Sequence, residues 1–341
     1  MARHRQAFLE SVGRVLDSGS LLLGPQLVEL ERAFAQFAGG AECVGVASGA
    51  AALQLALAAM EVGPGDEVIV PAMTAVPTAA AVCAIGATPV FVDVDLATAE
   101  IDPESAAAAV SSRTRAVVGV HLYGRPFDVA ALASAVGVPI VEDCAQAHGA
   151  VDRVAGAVAA YSFYPTKNLG GIGDGGAVVT DDVEMAQRVR RLRAHGAVAQ
   201  YVHTEISQNY RMSEIEAAWL NLTLPFLAAD TQRRREIAAA YRSAAPHLSW
   251  QRDHEHHVHH LAVVLTSDRD TFRQHLAAND VAAAVHYPLA LTQQPAYSHF
   301  TNAACPDAEA WSARCVSVPM FAELTDAEVE VVCAALETAP A

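Results

Sequence analysis

Residues 67–94 read EVIVPAMTAVPTAAAVCAIGATPVFVDV, and this stretch decides the fold. An apolar strand over 67–71 is followed by a small-residue helix over 77–85 that stops at Gly86, and then by a second apolar strand over 89–94. Both apolar runs are continuous rather than alternating, the pattern of strands covered on both faces. Strand, helix and strand in that rhythm make parallel neighbours, because the chain must cross back over the sheet between them. Working outward, a helix over 48–60 opens at a Ser-Gly turn, a strand follows at 115–122 (RAVVGVHL), a helix at 129–136 and a buried strand at 139–143 (PIVED). The expected fold class is α/β, a mostly parallel central sheet flanked by helices.

Beyond residue 209 the character changes. Helical patterns cover 212–222 and 231–243, a strand-like run covers 260–265 (HLAVVL), and helices follow at 271–279 and 326–336. These suit a smaller C-terminal α+β domain. A boundary near Pro225 divides the chain into a large domain over 1–225 and a small one over 226–341.

The chain has 341 residues, 52% of them hydrophobic, and a formal net charge of −16. Such a surface speaks against nucleic-acid binding, which needs clustered Lys and Arg to neutralise phosphates. No apolar run reaches membrane-spanning length, and the N-terminus lacks the apolar core of a signal peptide. A cytoplasmic protein with no membrane partner is the expectation. The six cysteines, Cys43, Cys83, Cys144, Cys305, Cys315 and Cys333, show no metal-ligand spacing and read as free thiols. No metal is expected. The cluster His254, His256, His257, His259 and His260 also lacks the spacing of a metal site and reads as structural or surface.

Three stretches carry chemistry. In residues 161–171 (YSFYPTKNLGG), Lys167 sits between a proline and a Gly-Gly pair, on a constrained loop from which an amine can reach a cleft and condense with an aldehyde cofactor. Ser162 is placed to offer a hydroxyl to a phosphate. The plain alternative is a surface lysine in a turn. In residues 140–149 (IVEDCAQAHG), Asp143 falls where a buried strand ends, the place where ligands of α/β sheets collect. A carboxylate there can pair with the protonated pyridine nitrogen of pyridoxal 5'-phosphate (PLP), with Gln146 reaching the ring oxygen O3'. The alternative is a helix cap. In residues 47–51 (ASGAA), a helix starting at Ser48 exposes backbone N–H groups that suit an anion, and Gly49 allows close approach.

Taken together, these motifs resemble the sugar aminotransferase family called DegT/DnrJ/EryC1/StrS, within the fold type I PLP enzymes. The resemblance spans nearly the whole chain. It runs from Gly24-Pro25 through 63–71 (GPGDEVIVP), 121–124 (HLYG), 142–149 (EDCAQAHG), 162–169 (SFYPTKNL) and 173–176 (GDGG) to 209–212 (NYRM) and 286–288 (HYP). It implies PLP carried by Lys167, with Asp143 on the pyridine nitrogen and Gln146 near O3'. It implies a phosphate held by Ser162 and by the backbone of Gly49 and Ala50, and by Asn209 from the neighbouring subunit of a homodimer with shared active sites. It further implies transfer of an amino group from glutamate or glutamine to a keto sugar, a nucleotide-linked keto-deoxyhexose, in amino-sugar and antibiotic biosynthesis.

Three departures stand out. No aromatic stands at or beside Ala75, where relatives usually stack a ring on the cofactor, residues 151–160 are a few residues short, and Thr292 stands where relatives often carry histidine. The alternatives are a keto-cyclitol (inosose) aminotransferase, a PLP-binding sugar dehydratase, and a non-catalytic relative that kept the cofactor. Dehydratase relatives replace the lysine by histidine, and Lys167 argues against that reading.

Overall fold

The computed structural model describes residues 2–300 and 303–341. A seven-stranded sheet forms its centre: β1 (Glu42–Val46), β2 (Glu67–Pro71), β3 (Thr88–Val92), β4 (Thr114–Val120), β5 (Ile140–Asp143), β6 (Val158–Ser162) and β7 (Gly176–Thr180). The spatial order is β1-β7-β6-β5-β4-β2-β3. β7 pairs antiparallel with both β1 and β6, and the remaining pairings are parallel. The mostly parallel α/β sheet expected from the sequence is therefore present. Residues of β2, β5, β6 and β7 are buried throughout, as expected of Val/Ile/Ala-rich strands covered on both faces.

Helices α1 (Arg5–Ser18), α2 (Pro25–Phe37), α3 (Gly49–Ala59), α4 (Val76–Ala84), α5 (Pro103–Ala108), α6 (Val129–Val136), α7 (Val183–Arg193) and α8 (Glu214–Thr223) accompany this sheet. Their starts are written in the sequence: Ser48, Asp102, Asp128, Asp182 and Ser213 each accept a hydrogen bond from the first turn of the helix they cap. α3 is apolar nearly all round because it packs across β5, β6 and β7. Glu214, buried at the start of α8, accepts hydrogen bonds from the N–H groups of Gly24, Gln26 and Leu27 and so caps α2 from another element.

A small hairpin, β8 (Ala197–Ala199) with β9 (Val202–His203), precedes α8. After a turn at Leu224–Phe226 come α9 (Leu227–Ala244), β10 (Ser249–Trp250), β11 (Ala262–Leu265), α10 (Arg269–Ala278), α11 (Pro306–Arg314), β12 (Cys315–Val318) and α12 (Asp326–Glu337). β10, β11 and β12 form an antiparallel sheet covered by α9, α10 and α12.

The strand expected over 115–122 stops at Val120, because the chain turns at Leu122–Gly124 with Tyr123 in the left-handed region (φ 62°). Among the described residues no helix is long and apolar enough to cross a membrane. The cysteines are unpaired, and four of the six are buried.

Candidate active site

The carboxyl ends of β1, β2, β5 and β6 meet on one side of the sheet around a cavity of about 390 Å³. Each strand delivers one chemical group to it, which is where an α/β sheet places its ligands.

Asp143 is the last residue of β5 and is buried. Its Oδ2 accepts a hydrogen bond from the Thr78 hydroxyl (2.9 Å) and its Oδ1 one from the Ala145 N–H (3.1 Å). The Thr78 hydroxyl in turn lies 3.1 Å from that of Thr74. Burial pushes the Asp143 carboxyl above its usual range, while the Ala145 N–H, Thr78 and the charge of Lys167 act against that rise. Across the cavity, burial lowers the Lys167 amine and Asp143 acts in the opposite direction. The two groups are thus electrostatic partners inside one pocket.

The loop bearing Lys167 is fastened at several points. The Lys167 N–H donates to Tyr164 O (2.8 Å), the Gly171 N–H to Phe163 O (2.7 Å) and the Trp219 indole to Gly170 O (2.8 Å). Glu216, whose carboxyl burial raises to about 7, accepts the Ile172 N–H (3.2 Å). A Cβ on Gly171 would fall within 1.6 Å of the Glu216 carboxylate, so this glycine is required by close approach.

At the third corner, Ser48 caps α3 by accepting the Ala51 N–H (3.1 Å), and its carbonyl accepts the Ala52 N–H (2.9 Å). Among the described residues the N–H groups of Gly49 and Ala50 have no acceptor. The Ser162 hydroxyl stands beside them: a Cβ on Gly49 would lie 2.5 Å from Ser162 Cβ. Two free N–H donors and a hydroxyl at a helix start form a cradle for an anion of phosphate size. Cradle, amine and carboxylate in one pocket fit the three handles of PLP: phosphate, aldehyde and ring nitrogen.

Gln146, also lining the pocket, offers its amide three residues beyond Asp143. Lys167, Asp143, Gln146, Ser162, Gly49 and Ala50 are therefore brought together. Asn209 is not; it is exposed, away from this cavity, and its Oδ1 accepts hydrogen bonds from the Arg211 N–H (3.3 Å) and Nε (2.9 Å). Ala75 lies half-buried at the cavity mouth beside exposed Val76 and Pro77, and Tyr164 is the aromatic lining residue among those described. Thr292 donates to Glu309 (3.5 Å).

In the histidine cluster, His257 stacks on His259 with ring centroids 3.9 Å apart, and His260 Nδ1 lies 3.1 Å from Asn168 Oδ1, beside the lysine. His121, Glu142 and Cys144 are close enough to share an ion, but His121 is spent on Glu142 (3.0 Å) and on the Phe127 N–H (3.2 Å). The other Glu142 oxygen accepts the N–H groups of Ala155 and Gly156 (2.7 Å each).

Thr74, Thr78 and Tyr287 escaped the reading of the sequence. Two threonines one helical turn apart in an otherwise apolar, small-residue segment are the signal that could have marked the first two. Tyr287 lay inside a quoted motif, but nothing in its spacing connects it to Gln146, 141 positions away.

The sequence pattern of the DegT/DnrJ/EryC1/StrS aminotransferase family matches residues 3–337. The chain belongs to this family. It is 41% identical over 337 residues (95% of this chain, 91% of the relative) to the UDP-N-acetyl-3-dehydro-alpha-D-glucosamine 3-aminotransferase of Acidithiobacillus ferrooxidans. It is 43% identical over 325 residues (91% and 86%) to the dTDP-3-amino-3,4,6-trideoxy-alpha-D-glucose transaminase of Streptomyces venezuelae. The crystal structure of S. venezuelae DesV in complex with a ketimine intermediate matches with a TM-score of 0.95 at 41% identity, covering 98% of this chain and 95% of that one. The fold is that of the fold type I PLP aminotransferases, and the enzyme class and cofactor implied by the sequence are those of the family.

Replacing Gly49 with Ala forces the first turn of α3 away from Ser162. We expect PLP affinity, measured by titrating apoprotein with cofactor, to fall by about tenfold or more, a loss of ~1.4 kcal/mol. The far-ultraviolet circular dichroism should stay unchanged. Undiminished affinity would show that the phosphate is held elsewhere.

Proposed function

We propose that this chain moves an amino group from glutamate or glutamine to the ketone of a nucleotide-linked keto sugar, in the cytoplasm, as one step of amino-sugar biosynthesis of the kind that supplies antibiotics. The observation that carries the reading is the convergence of the buried Lys167 amine, the Asp143 carboxylate and the unpaired N–H groups of Gly49 and Ala50 on one cavity. The sugar-nucleotide substrate is supported by the names of the two relatives above, both transaminases of such compounds.

Gly49, Ala50 and Ser162 would hold the phosphate, and Asp143 the ring nitrogen. When bound, PLP supplies the electron sink and stores the amino group between the two half-reactions. Lys167 Nζ, with its basicity lowered by burial, would take the proton from the donor's α-carbon and release it again. Asp143 would hold a proton on the ring nitrogen, and the buried carboxylate would gain a counter-charge there in addition to its hydrogen bonds from Thr78 and Ala145. Clamping by Glu216 and Trp219 keeps the lysine loop in place through both halves of a ping-pong cycle.

We further take residues 1–225 as the cofactor-binding domain and 226–341 as the smaller domain, supported by the separation of the seven-stranded sheet from the three-stranded one. The functional unit in this reading is a homodimer with shared sites. Asn209 lies outside its own chain's cavity, and the neighbouring hairpin and the segment after it expose Val198, Tyr201, Val202 and Ile206, the last fully. Apolar groups clustered in this way mark a surface that a partner covers.

An amination screen with glutamate and glutamine, read by mass, separates the substrate classes. UDP- and dTDP-linked keto sugars should gain the amine while inososes should not. Inosose turnover without sugar-nucleotide turnover would favour the cyclitol reading, and turnover of neither would favour a non-catalytic role.

Mixing Lys167→Ala with Asn209→Ala chains tests the shared site. One of the two sites in a mixed dimer collects both lesions and the other is intact, so activity should exceed that of either variant alone. If mixing restores nothing although subunit exchange is shown directly, Asn209 acts within its own chain or not at all.

A further inference from the structure

Three distant segments close a hydrogen-bond circuit beside the cofactor cavity. The Tyr123 N–H donates to Gln146 Oε1 (2.6 Å), Gln146 Nε2 donates to the Tyr287 hydroxyl (3.0 Å), and the Tyr123 hydroxyl donates to the His286 carbonyl. The left-handed turn at Tyr123 (φ 62°) is a sparsely populated conformation for a non-glycine residue. Its N–H is the one bonded to Gln146.

This circuit decides the orientation of the Gln146 amide. A backbone N–H can only donate, so the atom facing Tyr123 must be the amide oxygen. The amide nitrogen then faces Tyr287, gives it one proton and keeps a second. Burial pushes the Tyr287 hydroxyl up to about 12, so it stays neutral in the working range and accepts without becoming a charge itself. The titratable groups facing the circuit are Asp143 and Cys315 on Tyr287, and Lys167 on His286.

We propose that Tyr287 is a positioning residue that aims the second N–H of Gln146 at the ring oxygen of PLP, so that the 286–288 segment tunes the ionisation of the bound cofactor. The proposal rests on the placement of Gln146 beside that ring. A donor on the ring oxygen stabilises the form of the cofactor carrying one proton fewer. Weakening it raises the pH midpoint of the holoenzyme's visible absorbance band.

The test is a spectrophotometric pH titration of holoenzyme, with no substrate present, for wild type, Tyr287→Phe, Gln146→Ala and the double variant. Tyr287→Phe should raise the midpoint by about half a pH unit, the worth of one hydrogen bond. Gln146→Ala should raise it at least as far, and the double variant should match Gln146→Ala. Tyr123→Phe keeps the Tyr123 N–H on Gln146 and should move the midpoint less than Tyr287→Phe. A shift in Gln146→Ala with none in Tyr287→Phe would overturn the role of Tyr287 and leave the placement of Gln146 standing. No shift in Gln146→Ala would overturn that placement and the proposal with it. Full additivity in the double variant, or an equal shift in Tyr123→Phe, would show that Tyr287 acts otherwise than through Gln146.

Discussion

The structure depends on one buried carboxylate. Asp143 stands at the end of a strand enclosed on both faces, where burial disfavours its charge. A protein keeps such a group only if something repays the loss of water. Here Thr78 and the Ala145 N–H repay part of it, and Lys167 across the cavity contributes a further favourable charge. A protonated ring nitrogen would complete the set. The site thus carries an electrostatic demand that a protonated ring nitrogen would meet.

The scaffold follows from that demand. Parallel strands bring their carboxyl ends to one side, so Ser48, Thr74, Asp143 and Ser162, far apart in sequence, share one cavity. α3 must lie close enough to β6 for its free N–H groups to stand beside Ser162, and only a glycine at position 49 permits this. The lysine loop is fastened from α8, where Glu216 holds the Ile172 N–H and Trp219 the Gly170 carbonyl. α8 is itself tied to α2 through Glu214. Rigidity at the cofactor is therefore drawn from elements that touch no ligand.

Much of this was legible in the sequence, for physical reasons. The run at 67–71 could be bounded to the residue because a Val-Ile-Val strand between Gly-Pro-Gly-Asp and a small-residue helix has few alternatives. The helix start at Ser48 was visible because capping is a local interaction. Lys167, Asp143, Gln146, Ser162, Gly49 and Ala50 came from motifs, and the fold places them together. What stayed hidden depends on long-range geometry. Tyr287 meets Gln146, and Thr78 meets Asp143, across separations that no local pattern encodes. The end of β4 before Leu122 was hidden because an apolar residue continuing a strand and one turning out of it look alike in sequence.

The central claim is that Asp143 serves the cofactor's electronics rather than the helix that follows it. Replacing Asp143 by Asn preserves shape and removes the charge. Comparing turnover with PLP affinity in that variant tests the claim most directly. The account predicts that turnover falls on the order of a hundredfold or more, as when one preorganised electrostatic partner is lost. PLP affinity should change far less, because the phosphate cradle is untouched. Near-normal turnover in Asp143→Asn would contradict the account and leave the carboxylate as a cap.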